Sequence, residues 1–229
     1  MFDYSYAYLF ANLFLCLPVW LLVFWRRKDL RHKILMASLV GGIAGPLSEI
    51  WYTKDYWQPL LFTGGRIGFE DFLFGFFVAG VASVLYEELL AKKFTKRHLR
   101  KQHWILLILP LIVVLLYTFN HLFPSLSINS IYASAVAFFI VAAAIIFIRP
   151  DLETDSLVSG ILSCLAFFLG YLILLLFFPQ IFNKMWYLKN ISGITLFTIP
   201  IEELLWALSF GMFAGPIYEF YAGLTFKKK

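Results

Sequence analysis

Apolar residues run in long uninterrupted blocks separated by short polar stretches, and this pattern predicts helices that cross a bilayer. Spans are expected near 6–25, 34–52, 67–90, 104–122, 131–148, 156–178 and 195–222. The fold class is therefore all-α integral membrane, with about seven transmembrane helices. The start, Met1-Phe2-Asp3-Tyr4, lacks the positive region of a signal peptide, so the first block reads as a retained span.

Spacing within the blocks points to an internal repeat. Ile67-Gly68-Phe69-Glu70-Asp71 and Ile199-Pro200-Ile201-Glu202-Glu203 lie 132 residues apart, and Tyr86-Glu87 falls on Tyr218-Glu219 at the same offset. Arg27-Lys28-Asp29-Leu30 falls on Arg149-Pro150-Asp151-Leu152 at an offset of 122. The expected organisation is a three-helix repeat over 1–90, a linker helix within 91–130 and a second three-helix repeat over 131–229. Three spans plus one linker insert both halves in the same direction, which makes the repeats parallel, about an axis along the membrane normal.

The net charge of +5 refines this reading. Fifteen of the 19 Lys and Arg fall on one side of the predicted spans, in 26–33, 92–101, at Arg149 and at 227–229; the other side has only Lys54, Arg66, Lys184 and Lys189. Positive loops of this kind set topology and do not mark nucleic-acid binding; they place the N-terminus outside and the C-terminus in the cytoplasm of a cell-membrane protein. Tyr52, Tyr56, Trp57, Trp186 and Tyr187 fit an aromatic belt at the outer interface. The two cysteines, Cys16 and Cys164, sit inside apolar blocks, and the sequence has no CxxC or Cys/His cluster to indicate a metal or redox motif.

Ionisable groups inside a bilayer are costly and are candidates for function. Eight carboxylates lie within or at the ends of spans: Glu49, Glu70, Asp71, Glu87, Glu88, Glu202, Glu203 and Glu219. Glu87 and Glu88 adjoin Lys92 and Lys93 and are expected to reach the interface. The topology brings Glu49, Glu70-Asp71 and Glu202-Glu203 to one depth near the outer face. Glu70 and Glu87 are 17 residues apart, roughly 25 Å along a helix, so the Tyr-Glu pairs fall near the opposite face. Pro200 suits a helix N-terminus, where a carboxylate meets the positive end of the dipole. Paired carboxylates that share one proton can serve as both acid and base. Phe, Trp and Tyr make up 20% of the chain, and aromatic faces stabilise cations.

The motif Pro200-Ile201-Glu202-Glu203-Leu204-Leu205-Trp206, echoed by Gly68-Phe69-Glu70-Asp71-Phe72-Leu73-Phe74, resembles the lycopene cyclase domain family. Those cofactor-free membrane enzymes are built of two related three-helix units, in some members fused through a linker helix. The resemblance implies an intramolecular isomerisation of lycopene or another linear, apolar isoprenoid. An acid protonates the terminal alkene, the tertiary cation closes a six-membered ring and a base removes a proton. No electrons are exchanged, so no cofactor is expected, and the sequence has no Gly-rich dinucleotide fingerprint. The implied catalytic residues are Glu70, Asp71, Glu202 and Glu203, supported by Glu49, Phe74 and Trp206, with no metal. The sequence departs from the family pattern at Trp206-Ala207 and at Gly68. A small-solute transporter with parallel three-helix repeats stays open, as does a hydratase or non-catalytic relative of the cyclases.

Overall fold

The computed structural model describes residues 3–91, 94–95 and 128–226. The predicted span 104–122 and most of the linker lie outside the described residues. Four described helices are long and apolar enough to cross a membrane: Tyr4–Arg26, Lys28–Asp55, Ser130–Ile148 and Pro150–Phe177. We call the first α1. The regular α-helical parts of the next three are α2 (Arg31–Asp55), α5 (Ser130–Ile148) and α6 (Glu153–Phe177). Exposed apolar residues run along them in stripes, Leu39, Ile43, Leu47 and Ile50 on α2 and Leu157, Ile161, Leu165 and Leu169 on α6. In water such faces would be unstable; facing lipid, they are what a membrane protein presents.

The predicted spans 67–90 and 195–222 are each divided. The first becomes α3 (Phe69–Ala82) and α4 (Leu85–Leu89). The second becomes α8 (Ile201–Ala214) and α9 (Ile217–Ala222), after the short α7 (Ile181–Met185). Gly215-Pro216 accounts for the second break, because proline removes a helix donor and clashes with the preceding turn. Helix α8 also starts later than 195. Thr195–Leu196 and Ile199–Pro200 pair as an antiparallel hairpin, whose two-residue turn puts Phe197 and Thr198 at φ 50° and 68°. Two-residue hairpin turns favour this left-handed backbone, usually in Asn and Gly; in a β-branched threonine it is strained.

The chain divides into two compact units. The first comprises Met1–Val81 and Leu165–Leu204. In it α2 and α3 cross at small residues: a Cβ on Gly75 would collide with the backbone of Gly41, and one on Gly45 with the carbonyl of Asp71. Gly41 and Gly45 form the GxxxG spacing that lets membrane helices approach this closely. Ser38 lies against Gly80, and its hydroxyl accepts from Trp20 Nε1 at 2.9 Å. Helix α1 widens to a π-turn over Ala11–Cys16, with the Leu17 N–H bonded to the Asn12 carbonyl. Pro18, which has no N–H, follows at once and relieves the ladder there.

The second unit comprises Ala82–Cys164 and Leu205–Lys229. Its core is Val141, Ile145, Leu152 and Phe220. Gly160 of α6 meets Met212 of α8, and Gly211 meets Ser163. Arg149 binds Asp151 through both Nε (2.7 Å) and Nη2 (2.6 Å) and donates to the Leu224 carbonyl at 2.8 Å.

Candidate active site

The acidic doublets open α3 and α8 at the same helical positions, second and third, but the residue before each helix differs. Before α3 stands Gly68, whose N–H donates to Asp71 Oδ2 at 2.7 Å; the reciprocal Asp71 N–H to Gly68 carbonyl bond is 3.3 Å. This is half of a capping box and fixes the carboxyl of Asp71 at the helix start. Before α8 stands Pro200, which has no N–H to give. Glu203, at the position equivalent to Asp71, therefore makes no such cap and reaches other donors.

Among the described residues those donors are three. Tyr56 and Trp186 donate to Glu203 Oε1, the indole at 2.6 Å, and the Tyr171 phenol donates to Oε2. Burial, reinforced by the Glu203 carboxylate, pushes the Tyr56 phenol well above its ordinary pKa, so it remains a donor at neutral pH.

The first member of each doublet holds a loop instead. Glu70 Oε1 accepts from the Phe62 N–H at 3.1 Å, and Glu202 Oε1 accepts from the Ser192 N–H at 2.9 Å. The Glu70 carbonyl also receives Asn12 Nδ2 at 3.1 Å, which ties the π-turn of α1 to the start of α3. All four acidic side chains are buried.

Glu49 completes the arrangement. It stands one turn beyond Gly45 on the same face of α2, and Gly45 packs on the backbone of Asp71. Its Oε1 accepts from Trp57 Nε1 at 3.2 Å, while its Oε2 has no hydrogen-bond partner among the described residues. The Tyr8 phenol faces both Asp71 and Glu49, and the Tyr8 ring packs edge-on to Trp57 at 5.2 Å and beside Phe74 at 5.8 Å. Trp57 and Trp186 form a backbone bridge, and their rings lie 5.1 Å apart. One indole thus serves Glu49 and the adjoining one serves Glu203.

Glu49, Glu70, Asp71, Phe74, Glu202 and Glu203 all belong to the first unit. Trp206 belongs to the second, where it stacks on Phe210 at 5.0 Å. Tyr56, Trp57 and Trp186, read from the sequence as an interface belt, are buried and turned onto carboxylates. Tyr8, Asn12 and Tyr171 gave no sequence signal of their own, although Tyr171 lies 122 residues after Glu49, the offset of the preceding repeat segment.

Glu87, expected at the interface, is fully buried. In the second unit it joins Asp155 and Glu219, one carboxylate oxygen of each lying within 4.8 Å of the others. Three carboxylates at that spacing are a ligand set suited to a hard divalent cation. Asp155 also accepts from the Ser159 hydroxyl at 3.1 Å.

No curated protein and no solved structure matches the chain. Residues 129–221 match a family model described as lycopene cyclase. The matched segment contains Tyr171, Trp186 and the Glu202-Glu203 doublet. Over residues 129–221, less than half of its length, the chain is therefore similar to the lycopene cyclase family.

Proposed function

We propose that the protein is a membrane carotenoid cyclase that closes a ring at the end of lycopene or a related linear carotenoid by acid catalysis, without a cofactor. One observation carries this reading. Within the family-matched segment, Glu203 is a buried carboxylate on an apolar helix, and two phenols and an indole donate to it. Such a group is expensive in a bilayer and serves chemistry better than packing. The Asp71 and Glu49 carboxyls in the same unit supply proton-transfer capacity. Glu70 and Glu202 hold the loops that precede the two doublets.

The test is expression in a lycopene-accumulating bacterial host, with pigments resolved by chromatography and mass. Cyclic products of unchanged mass are expected. Glu203→Gln and Asp71→Asn should each reduce their formation by about 10²-fold or more, the usual scale for loss of an acid–base or charge-stabilising group. A product one water heavier would assign the chain to hydratase relatives instead. Unaltered lycopene with a folded, inserted protein would sink the enzymatic reading and favour the transporter.

We infer in addition that 1–90 and 131–229 are parallel repeats joined by a linker helix within 91–130, with seven spans, the N-terminus outside and the C-terminus in the cytoplasm. Element lengths support the repeat. Helices α2 and α6 both have 25 residues at an offset of 122, and α3 and α8 both have 14 at an offset of 132. Crossing residues support it as well: Ser38 against Gly80 becomes Gly160 against Met212, and Gly41 against Ala79 becomes Ser163 against Gly211. In each pair one partner grows where the other shrinks.

A further inference from the structure

The cyclase reading leaves open which carboxyl gives the proton and which faces the cation, and the hydrogen bonds separate the two tasks. Both oxygens of Glu203 receive donors, and one of these, the Trp186 indole, can only donate. A proton on Oε1 would oppose the indole, which has no lone pair to receive it. Three donors aimed at one carboxylate describe a fixed anion. Around it stand the rings of Trp186, Phe182 and Tyr171; Phe182 lies 4.7 Å from Trp186 and 5.2 Å from Tyr171. Aromatic faces add attraction for a cation that has lost its water.

Glu49 and Asp71 are arranged differently. The packing of Gly45 on the Asp71 backbone sets Glu49 beside Asp71, and the Tyr8 phenol faces both. Glu49 is nine-tenths buried or more, and its Oε2 has no hydrogen-bond partner among the described residues. Two adjacent buried carboxyls with spare acceptor capacity hold one proton between them more easily than none. Among the described residues, the other titratable groups facing this pair are Tyr8 on α1, with Cys16 beyond it, and Glu70 on α3.

We propose that Glu203, braced by Tyr56, Tyr171 and Trp186, is a permanent counter-ion for the tertiary carbocation, while Glu49 and Asp71 form the proton-carrying pair. This assignment rests on the cyclase reading above. The step balances without a co-reactant. The protonated member of the pair gives its proton to the terminal alkene, where a C–H bond forms as the π bond breaks. The next alkene attacks the resulting cation and the ring C–C bond forms. The ionised member of the pair then takes a proton from the carbon beside the new cationic centre, and a ring double bond forms. The pair begins and ends with one proton, and Glu203 keeps its charge throughout.

The experiment uses the full chain in lipid nanodiscs and two probes, N,N-dimethylgeranylgeranylamine, a protonated mimic of the tertiary cation, and neutral geranylgeraniol. Wild type should bind the amine about tenfold or more tightly than the alcohol, as a buried charge opposite aromatic rings would give. Glu203→Gln should abolish that preference. Glu49→Gln and Asp71→Asn should keep it while losing cyclisation of lycopene. If Glu203→Gln does not fold, Tyr171→Phe decides, since it removes one donor at the cost of a hydroxyl. A reduced preference supports the counter-ion, and an unchanged one overturns it. Preference surviving Glu203→Gln, or lost in Asp71→Asn, overturns the assignment of roles. Wild type that cyclises lycopene without preferring the amine overturns the assignment alone. Wild type that prefers the amine but leaves lycopene linear overturns the cyclase reading and leaves the counter-ion standing.

Discussion

Gly45→Ala tests whether the α2–α3 crossing sets the geometry of the site. The added Cβ would fall well inside contact distance of the Asp71 carbonyl oxygen and 3.6 Å from the Gly75 Cα. Carbonyl and glycine are backbone, so no side chain can swing aside, and α2 must move from α3 by about 1 Å to regain ordinary contact. Overpacking of this kind costs about 1–3 kcal/mol. The functional effect should be larger than the loss of stability, because Glu49 on α2 and Asp71 on α3 are separated by the same movement. A displacement of about 1 Å at reacting groups is worth on the order of 10²-fold in rate. The assay pairs thermal melting in nanodiscs, read by tryptophan fluorescence, with lycopene turnover. Gly170→Ala is the control. A Cβ there meets nothing within 4 Å, so helix propensity alone operates, and stability should hold or rise by up to about 1 kcal/mol. If Gly45→Ala melts and turns over like Gly170→Ala, the crossing does not position the carboxyls and the reasoning fails.

Two further outcomes follow from the proposed topology and from Arg149. A membrane-impermeant maleimide added to intact cells should label Thr63→Cys but not Lys28→Cys; labelling of Lys28→Cys alone would invert the proposed orientation. Arg149→Met removes the fork onto Asp151 and the bond to the Leu224 carbonyl, and thermal or denaturant unfolding should register a loss of about 1–3 kcal/mol; unchanged stability would mean that the ion pair contributes nothing net.

The apolar blocks, the doublets and the offset of 132 were legible because each is a property of spacing along the chain. The four long described spans agree with their blocks to within a few residues at most ends. What spacing could not give is which way a residue at a span end turns. Trp57 and Trp186 have the composition of an interface belt, and only tertiary contact sets their indoles on Glu49 and Glu203. The hairpin before α8 was hidden for a related reason, since Thr195 to Pro200 is apolar enough to continue a span and only the backbone of Phe197 and Thr198 shows the turn. The first helix break, at Ser83-Val84, contains no glycine or proline, so no residue type marks it. Glu87 was assigned to the interface from the lysines that follow it, an argument about sequence neighbours that its burial overrides.

The contrast between Gly68 and Pro200 shows how one position before a helix can govern the partners of a carboxylate after it. A carboxylate third in a helix normally satisfies the N-terminal donors, and Asp71 does so through Gly68. Proline withdraws that donor, so Glu203 at the same position must find other partners or remain buried and unsatisfied, at a cost of several kcal/mol in lipid. Tyr56, Tyr171 and Trp186 meet the need with donors that carry no positive charge of their own. An arginine or lysine there would neutralise the carboxylate and leave nothing to attract a cation. Neutral donors satisfy its hydrogen bonds and leave its charge available. Two apparently opposed facts, a proline where a cap donor is usual and a buried carboxylate that accepts from neutral donors, therefore have one physical cause.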